Sequence, residues 1–326
     1  MPKPNTLFLV VDDLNNWVNC LGKYPSAITP NLDRLGARGT VFTNAQCPAP
    51  ICLPARTAVL SGVSPSTSGC YVNGREIEDK HPWTRSDGLR ETCPMPVYFR
   101  RGGYRVMSSG KIYHRFNDEA EDAAEFAGKP NWDDLNARAS TMTGMWEFKQ
   151  SHGVDSRPRD FEPLRDVTEP TAGNMWWGGL DPEQSAVQTD EQTTRYGIEQ
   201  LQKQHDKPFM LTLGYTRPHT PLVAPQKFFD LYDPEEIEVP EPSAEAFDNL
   251  PEFAKQIALN SSNFDWEGGI HHQLARQNRL REVIHAYLAA TSFMDDCVGR
   301  VLDALDASPY AENTAIVFWS DHGWSL

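Results

Sequence analysis

Residues 6–11 read Thr-Leu-Phe-Leu-Val-Val and run without a break into Asp12-Asp13. No other stretch constrains the fold as much. A run of strand-forming, almost wholly apolar residues has no side to turn to water, so it belongs in a strand covered on both faces. Such strands are those of parallel sheets, where crossover helices supply the cover. The strand also delivers whatever follows it to the carboxyl edge of the sheet, where open α/β sheets hold their ligands.

The same punctuation recurs. Arg105–Ser108 reads as a strand and runs into Gly110-Lys111-Ile-Tyr-His114. Pro208–Gly214 leads into Tyr215-Thr-Arg-Pro-His219, and Thr314–Trp319, read as a last buried strand, leads into Ser320-Asp321-His322. Between them stand helical segments. Thr29 as N-cap and Pro30 open one, with Leu32 and Leu35 on its apolar face and Gly39 closing it. Thr57–Leu60 and Met95–Arg101 are short helices, and Thr189–Gln204 is a longer one. Arg279–Ala307 carries apolar residues at 283, 287, 294, 298, 301 and 305, a helical stripe. Thr40–Thr43 has the composition of a further short strand. The fold class is therefore α/β, a mostly parallel central sheet sandwiched by helices, in one domain spanning residues 1–326. Residues 117–185 break the pattern. They are polar, rich in Pro and Gly, and carry Trp132, Trp146, Trp176 and Trp177. They read as an irregular insertion near the mouth of the site, where Trp176 or Trp177 either stacks on a sugar ring or packs the insertion onto the sheet.

Charge narrows the partners. A formal net charge of −15 argues against nucleic acid and anionic membrane, both of which need a basic surface. It leaves a small anionic substrate open, because a few cations can make one positive pocket. Asp12, Asp13 and Asp321 are hard oxygen ligands whose mutual repulsion a divalent cation such as Ca²⁺ relieves. An Asp pair alone more often caps a loop; Asp321-His322 after a second buried strand favours a metal. Three of the nine histidines, His114, His219 and His322, follow strands and have Lys, Arg or Asp beside them. The six cysteines include no Cys-x-x-Cys pair, so a zinc site is not expected, and they read as free thiols with at most one disulfide. Cys52 stands apart. It sits between prolines at the mouth of a helix, in Pro48-Ala-Pro-Ile-Cys-Leu-Pro-Ala-Arg56, where backbone N–H groups suit a tetrahedral oxyanion. Taken alone, such a cysteine is more often a buried structural thiol.

Cys52-Leu-Pro-Ala-Arg56, continued by Leu60-Ser61-Gly62, resembles the sulfatase signature C-x-P-x-R-x-x-x-L-[ST]-G. The likeness extends through "LFLVVDDL", "TPNLDRL", "SSGKIYH", "GYTRPHTP" and "FWSDHGWSL", and it is closest to the iduronate-2-sulfatase-like branch of the type I, formylglycine-dependent sulfatases in the alkaline phosphatase superfamily. The resemblance implies that Cys52 is oxidised to formylglycine by a formylglycine-generating enzyme or a radical maturase. The hydrated aldehyde then attacks sulfur through one hydroxyl and ejects sulfate through the other. It implies that Asp12, Asp13, Asp321 and His322 hold Ca²⁺ together with residue 52. Mn²⁺ or Zn²⁺ are alternatives that the imidazole ligand allows. It implies that Arg56 and His114 orient the nucleophile, and that Lys111 and His219 bind the sulfate of a sulfated small molecule or glycan.

In the family, the Asp-His-Gly-Trp motif is followed by a sulfate-binding lysine and an antiparallel C-terminal subdomain. The sequence ends at Leu326, before both, so the expectation is a truncated and weakly active chain. No export signal precedes the first strand as written, so the expectation is a cytoplasmic protein, or a periplasmic or secreted one whose leader was removed. Two other functions compete: a formylglycine-dependent phosphonate monoester or phosphodiester hydrolase, and an inactive sulfatase-like protein that binds sulfated glycans.

Overall fold

The structure is a computed structural model that describes residues 3–73, 83, 86–114, 132–136, 177–240, 248, 250–259, 274–275 and 277–324. Its centre is a five-stranded parallel sheet. In chain order the strands are β1 (Asn5–Val11), β2 (Arg105–Gly110), β3 (Asp134–Asn136), β5 (Phe209–Tyr215) and β7 (Thr314–Ser320), and in space they run β3-β2-β5-β1-β7. Two further strands, β4 (Trp177–Leu180) and β6 (Leu222–Pro225), form a separate parallel pair. The helices used below are α1 (Pro30–Ala37), α2 (Cys52–Ser61), α3 (Met95–Arg101), α4 (Thr189–Gln202) and α5 (Leu280–Asp306).

The sheet has two apolar faces, as the sequence of β1 demands. Leu7, Leu9 and Val11 point into the larger core with Leu211, Leu213, Tyr287, Phe293 and Val298. Phe8 and Val10 point the other way, onto Leu60, Trp83, Leu89, Val106 and Trp132. The six apolar positions expected along α5 are all buried. The first turn of α1 is capped from a distance: Asp295 of α5 accepts hydrogen bonds from Asn31 N (3.1 Å) and Leu32 N (2.8 Å). Thr29, expected to cap that helix, instead accepts from Asn19 N at 2.9 Å.

Three expectations are corrected, and for Trp177 the packing alternative is the one found. Residues 40–43 form no strand and are exposed, with Phe42 77% accessible. Strand propensity records fit to a half-buried pleat, and both sides of β1 are already taken by β5 and β7. Thr314–Trp319 is a strand at the edge of the described sheet, with Val317 41% accessible. Part of the 117–185 stretch belongs to the main sheet, because β3 pairs with β2; three residues are too few to show a period. Trp132 and Trp177 of that stretch are buried, and the Arg279 guanidinium lies 4.5 Å from the Trp177 ring, so neither is free to stack on a sugar. Trp146, Trp176 and most of the stretch lie outside the described residues.

Register is what builds the site. Val11 pairs with Tyr215 and Ser320, and Gly110 pairs with Gly214. Each ladder then continues one residue past the strand: Asp12 N donates to Tyr215 O (3.1 Å), Asp321 N to Val11 O (3.2 Å) and Lys111 N to Gly214 O (3.1 Å). Asp12, Lys111, Thr216 and Asp321 therefore leave the sheet at one level. Gly110 makes this approach feasible. Its φ is +80°, and a Cβ there would meet Gly214 O at 1.8 Å. Gly110→Ala should destabilise the chain by about 2–4 kcal/mol, combining a disfavoured backbone region with a backbone clash. Urea unfolding followed by far-UV circular dichroism measures this; a loss below about 0.5 kcal/mol, the size of an ordinary surface change, would refute it.

Candidate active site

Helix α2 begins at Cys52, at the helix mouth where the sequence places it, with Ile51 extended before it. The N-terminal turn is less open to an anion than expected. Leu53 N donates to Asn73 Oδ1 at 2.9 Å, Pro54 has no N–H, and Ala55 N donates to Ile51 O. The Cys52 side chain is buried, and its Sγ lies 3.1 Å from His322 Nε2. Burial pushes the thiol upward in pKa, so little thiolate exists at neutral pH.

One turn on, Arg56 is 1% exposed and binds almost everything around it. Nε donates to Asp321 Oδ2 at 2.7 Å, and Nη2 to Asp12 Oδ1 at 3.1 Å. Nη1 donates to the carbonyls of Lys111 (2.6 Å) and Ile112 (3.0 Å). Burial works against its charge, but Asp321 and Asp12 outweigh that and hold the guanidinium firmly protonated. Lys111, also buried, donates through Nζ to Asp12 Oδ2. Burial alone would raise the Asp12 carboxyl; Lys111, His219 and Arg56 overcome it and hold the group well below the usual carboxylate range. The Asp321 carboxyl is pushed up, first by burial and then by Asp12 beside it, against the pull of Arg56.

Asp13 stands at the apex of the loop with a left-handed φ of 61°. That conformation is secured on all sides. Asp13 N donates to Asp321 Oδ1 (3.2 Å), and Tyr287 of α5 donates its hydroxyl to Asp13 O and accepts from Asn15 N, both at 2.8 Å. Asn15 Nδ2 donates to Trp324 O at 2.9 Å, tying the loop to the segment after β7. The ligand atoms of Asp12, Asp13, Cys52 and His322 all lie within 4.8 Å of one another. His322 Nδ1 is buried without a hydrogen-bond partner, yet 3.1 Å from Asp13 Oδ1. Two donor atoms this close without a hydrogen bond suit two ligands of one cation, and the two carboxylates suit a hard one. Asp321 Oδ2 borders the same point, 3.7 Å from His322 Nε2, with its other oxygen held by the Asp13 and His322 N–H groups.

His219 approaches from β5. Its Nε2 lies 3.8 Å from Asp13 Oδ2 and 3.9 Å from Asp12 Oδ2. Burial lowers its proton affinity, but Asp13, Asp12 and the hydrogen bond to Cys52 prevail, and its pKa is raised to about 9. His114 is buried three residues past Lys111 on the same strand exit. All the residues singled out in the sequence thus sit at the exits of β1, β2, β5 and β7 or at the start of α2. The sequence reading missed Asn73, Asn15, Tyr287, Asp190 and Arg217. Only Arg217, two residues before His219, carried a signal, and Tyr287 was visible merely as one apolar position of a stripe. None of the six cysteines forms a disulfide.

A family profile described as Sulfatase matches residues 4–326. A sulfatase from Formosa agariphila is 35% identical over 324 residues, covering 99% of this chain and 59% of that protein. Iduronate 2-sulfatase from Homo sapiens is 28% identical over 331 residues, covering 99% of this chain and 55% of that protein. The solved structure of the phosphonate monoester hydrolase of Agrobacterium radiobacter shares the fold at a TM-score of 0.68 and 18% identity, covering 99% of this chain and 64% of that one. The chain spans little more than half the length of the two curated relatives.

Arg56→Ala should cost about 3–5 kcal/mol, because it strands two buried carboxylates. Urea unfolding measures it, and a loss under 1 kcal/mol would contradict the bracing role. His219 yields a pH prediction for the metal-free chain. Its folded pKa of about 9 exceeds the unfolded value near 6.5, so its contribution to stability is complete below pH 6.5 and is lost as pH rises through 9. Stability against pH for the parent and His219→Gln should differ in that window; parallel curves would disprove the assignment.

Proposed function

The chain belongs to the sulfatase family, and on that premise we propose that it is a sulfuric ester hydrolase acting on a sulfated carbohydrate. In this reading residue 52 is matured from cysteine to formylglycine, and Ca²⁺ is the resident cation. Residues 1–326 are read as catalytic domain throughout. The observation that supports it best is the position of Cys52: a thiol with a raised pKa, a poor nucleophile as it stands, inside a cluster of two carboxylates and an imidazole. Asp12, Asp13, His322 and residue 52 would hold the cation, with Asp321 adjoining. When present, formylglycine supplies a hydrated aldehyde as nucleophile, and the cation neutralises the carboxylates and polarises a sulfate oxygen.

The chain's own residues have separable tasks. Arg56 and His114 would set the orientation of residue 52. Lys111 and His219 would bind the sulfate oxygens. His219 is also the proton donor. Its Nδ1 faces Thr220 O at 2.6 Å, which keeps a proton on that nitrogen and leaves Nε2 to exchange one. As the S–O bond to the alcohol breaks, Nε2–H passes its proton to the departing oxygen, and the alcohol leaves neutral. Because Cys52, Leu53, Ala55 and Arg56 are buried in the folded chain, a maturing enzyme would read this segment before the sheet closes over it.

The fold likeness to a phosphonate monoester hydrolase favours a second reading, hydrolysis of a phosphonate monoester or phosphodiester by the same site. One set of measurements separates these. The peptide spanning residue 52 should be about 18 Da lighter than its cysteine form. Matured protein should release sulfate from a sulfated carbohydrate with kcat/KM above that for an aryl phosphonate. Cys52→Ala should lower sulfate release by at least about 10³-fold. Added Ca²⁺ should raise the melting temperature and chelator should lower it. Turnover by Cys52→Ala within a few-fold of the parent would end the proposal; a preference for the phosphonate would transfer it to the second reading.

A further inference from the structure

The turn that carries His219 is held by a buried carboxylate and a buried guanidinium that no step of the proposed reaction uses. Asp190, in the first turn of α4, is 1% exposed. Its Oδ1 accepts from Thr216 N at 2.7 Å and its Oδ2 from Arg217 N at 2.8 Å. Arg217 is equally buried, and the charge of Asp190 opposes the effect of burial on its guanidinium. Its Nη1 turns back and donates to His219 O at 2.5 Å. His219 N in turn donates to Thr216 O at 2.8 Å, closing a four-residue turn. One carboxylate thus fixes the entry of the turn and one guanidinium fixes its exit.

Burying two opposite charges in this way seldom adds net stability, because desolvating both cancels most of their attraction. What the two groups do add is geometry: charge-assisted hydrogen bonds to the backbone of residues 216, 217 and 219 leave the turn little freedom. The consequence falls on the imidazole. With the turn fixed, Nδ1 meets Thr220 O and Nε2 faces Asp12, Asp13 and Cys52. A small rotation of the turn would release Nδ1 and let the ring exchange tautomers.

We propose that Asp190 and Arg217 are positioning residues for His219, acting through the turn 216–219 to fix which ring nitrogen exchanges protons and where it points. The catalytic consequence rests on the reading of His219 given above. The structural consequence does not.

The test uses the full 326-residue chain, labelled with ¹⁵N-histidine. In the metal-free parent, His219 should show a protected Nδ1–H signal. Asp190→Asn keeps the size but sets an amide N–H against Arg217 N–H. It should weaken or abolish that signal while near-UV circular dichroism still reports a folded core. Arg217→Lys keeps the charge but cannot bridge to His219 O as a planar fork, and it serves in the same role should Asp190→Asn fail to fold. In matured, Ca²⁺-loaded protein both variants should lose about 10–100-fold in kcat with KM changed by less than about threefold, as expected for misplacement of a reacting group. Folded variants that retain the Nδ1–H signal and turn over within about twofold of the parent would overturn the proposal. A parent that releases no sulfate would remove the catalytic reading, yet the Nδ1–H comparison would still decide the positioning role.

Discussion

The fixed point of this structure is the buried guanidinium of Arg56. It joins four pieces of chain far apart in sequence: helix α2, which carries Cys52; Asp12 after β1; the Lys111 and Ile112 carbonyls after β2; and Asp321 after β7. Only a planar fork can serve two carboxylates and two carbonyls at once, and only a group that never loses its proton can do so in a dry interior. Lysine would offer a point charge on a flexible stem. The cation is expensive to bury, so each of its directions must be answered by an acceptor, and the acceptors found are the strand exits themselves. Bracing and active-site construction are therefore the same interaction.

A second constraint acts on the loop after β1. Asp13 occupies a left-handed conformation that a non-glycine residue adopts at some cost. The compensation comes from α5, whose Tyr287 binds both Asp13 O and Asn15 N, and from the chain after β7 through Trp324 O. Helix α5 thereby has two roles on one face. Its apolar stripe covers the sheet, and the hydroxyl of one residue in that stripe positions a carboxylate at the site. Tyr287→Phe would preserve the packing and separate the two.

What could be read in the sequence was whatever depends on nearest neighbours along the chain. Apolar runs ending in Asp, Lys and His marked the exits of β1, β2, β5 and β7, and a helical period marked α5. What could not be read depends on pairing. Nothing in Thr40–Thr43 says that both sides of β1 are occupied. Nothing in Trp177 says that Arg279, about a hundred residues away, lies against it. Asp295 is an ordinary acidic residue on a helix until α1 is found to begin beneath it. The four-residue helix (Pro65–Ser68) and the loop that place Asn73 at Leu53 N are too short to show a period, so that contact was invisible.

The charges at the site also bear on its chemistry. Three carboxylates, Asp12, Asp13 and Asp321, meet three cationic groups, Arg56, Lys111 and the protonated His219. Formally they cancel, so the described residues alone offer no surplus attraction for an anion. Arg56 and Lys111 are moreover committed to Asp12 and Asp321. Among the described residues, the groups paired with Asp13 are the two imidazoles, at 3.1 Å and 3.8 Å. A divalent cation held at the Asp12–Asp13–His322 cluster would change both terms. It would turn a neutral site into a positive one, and it would weaken the hold of Asp12 on Lys111, freeing that ammonium for an incoming oxyanion. Anion binding and metal binding would then be coupled through a single side chain, the lysine that Asp12 holds in the structure as it stands.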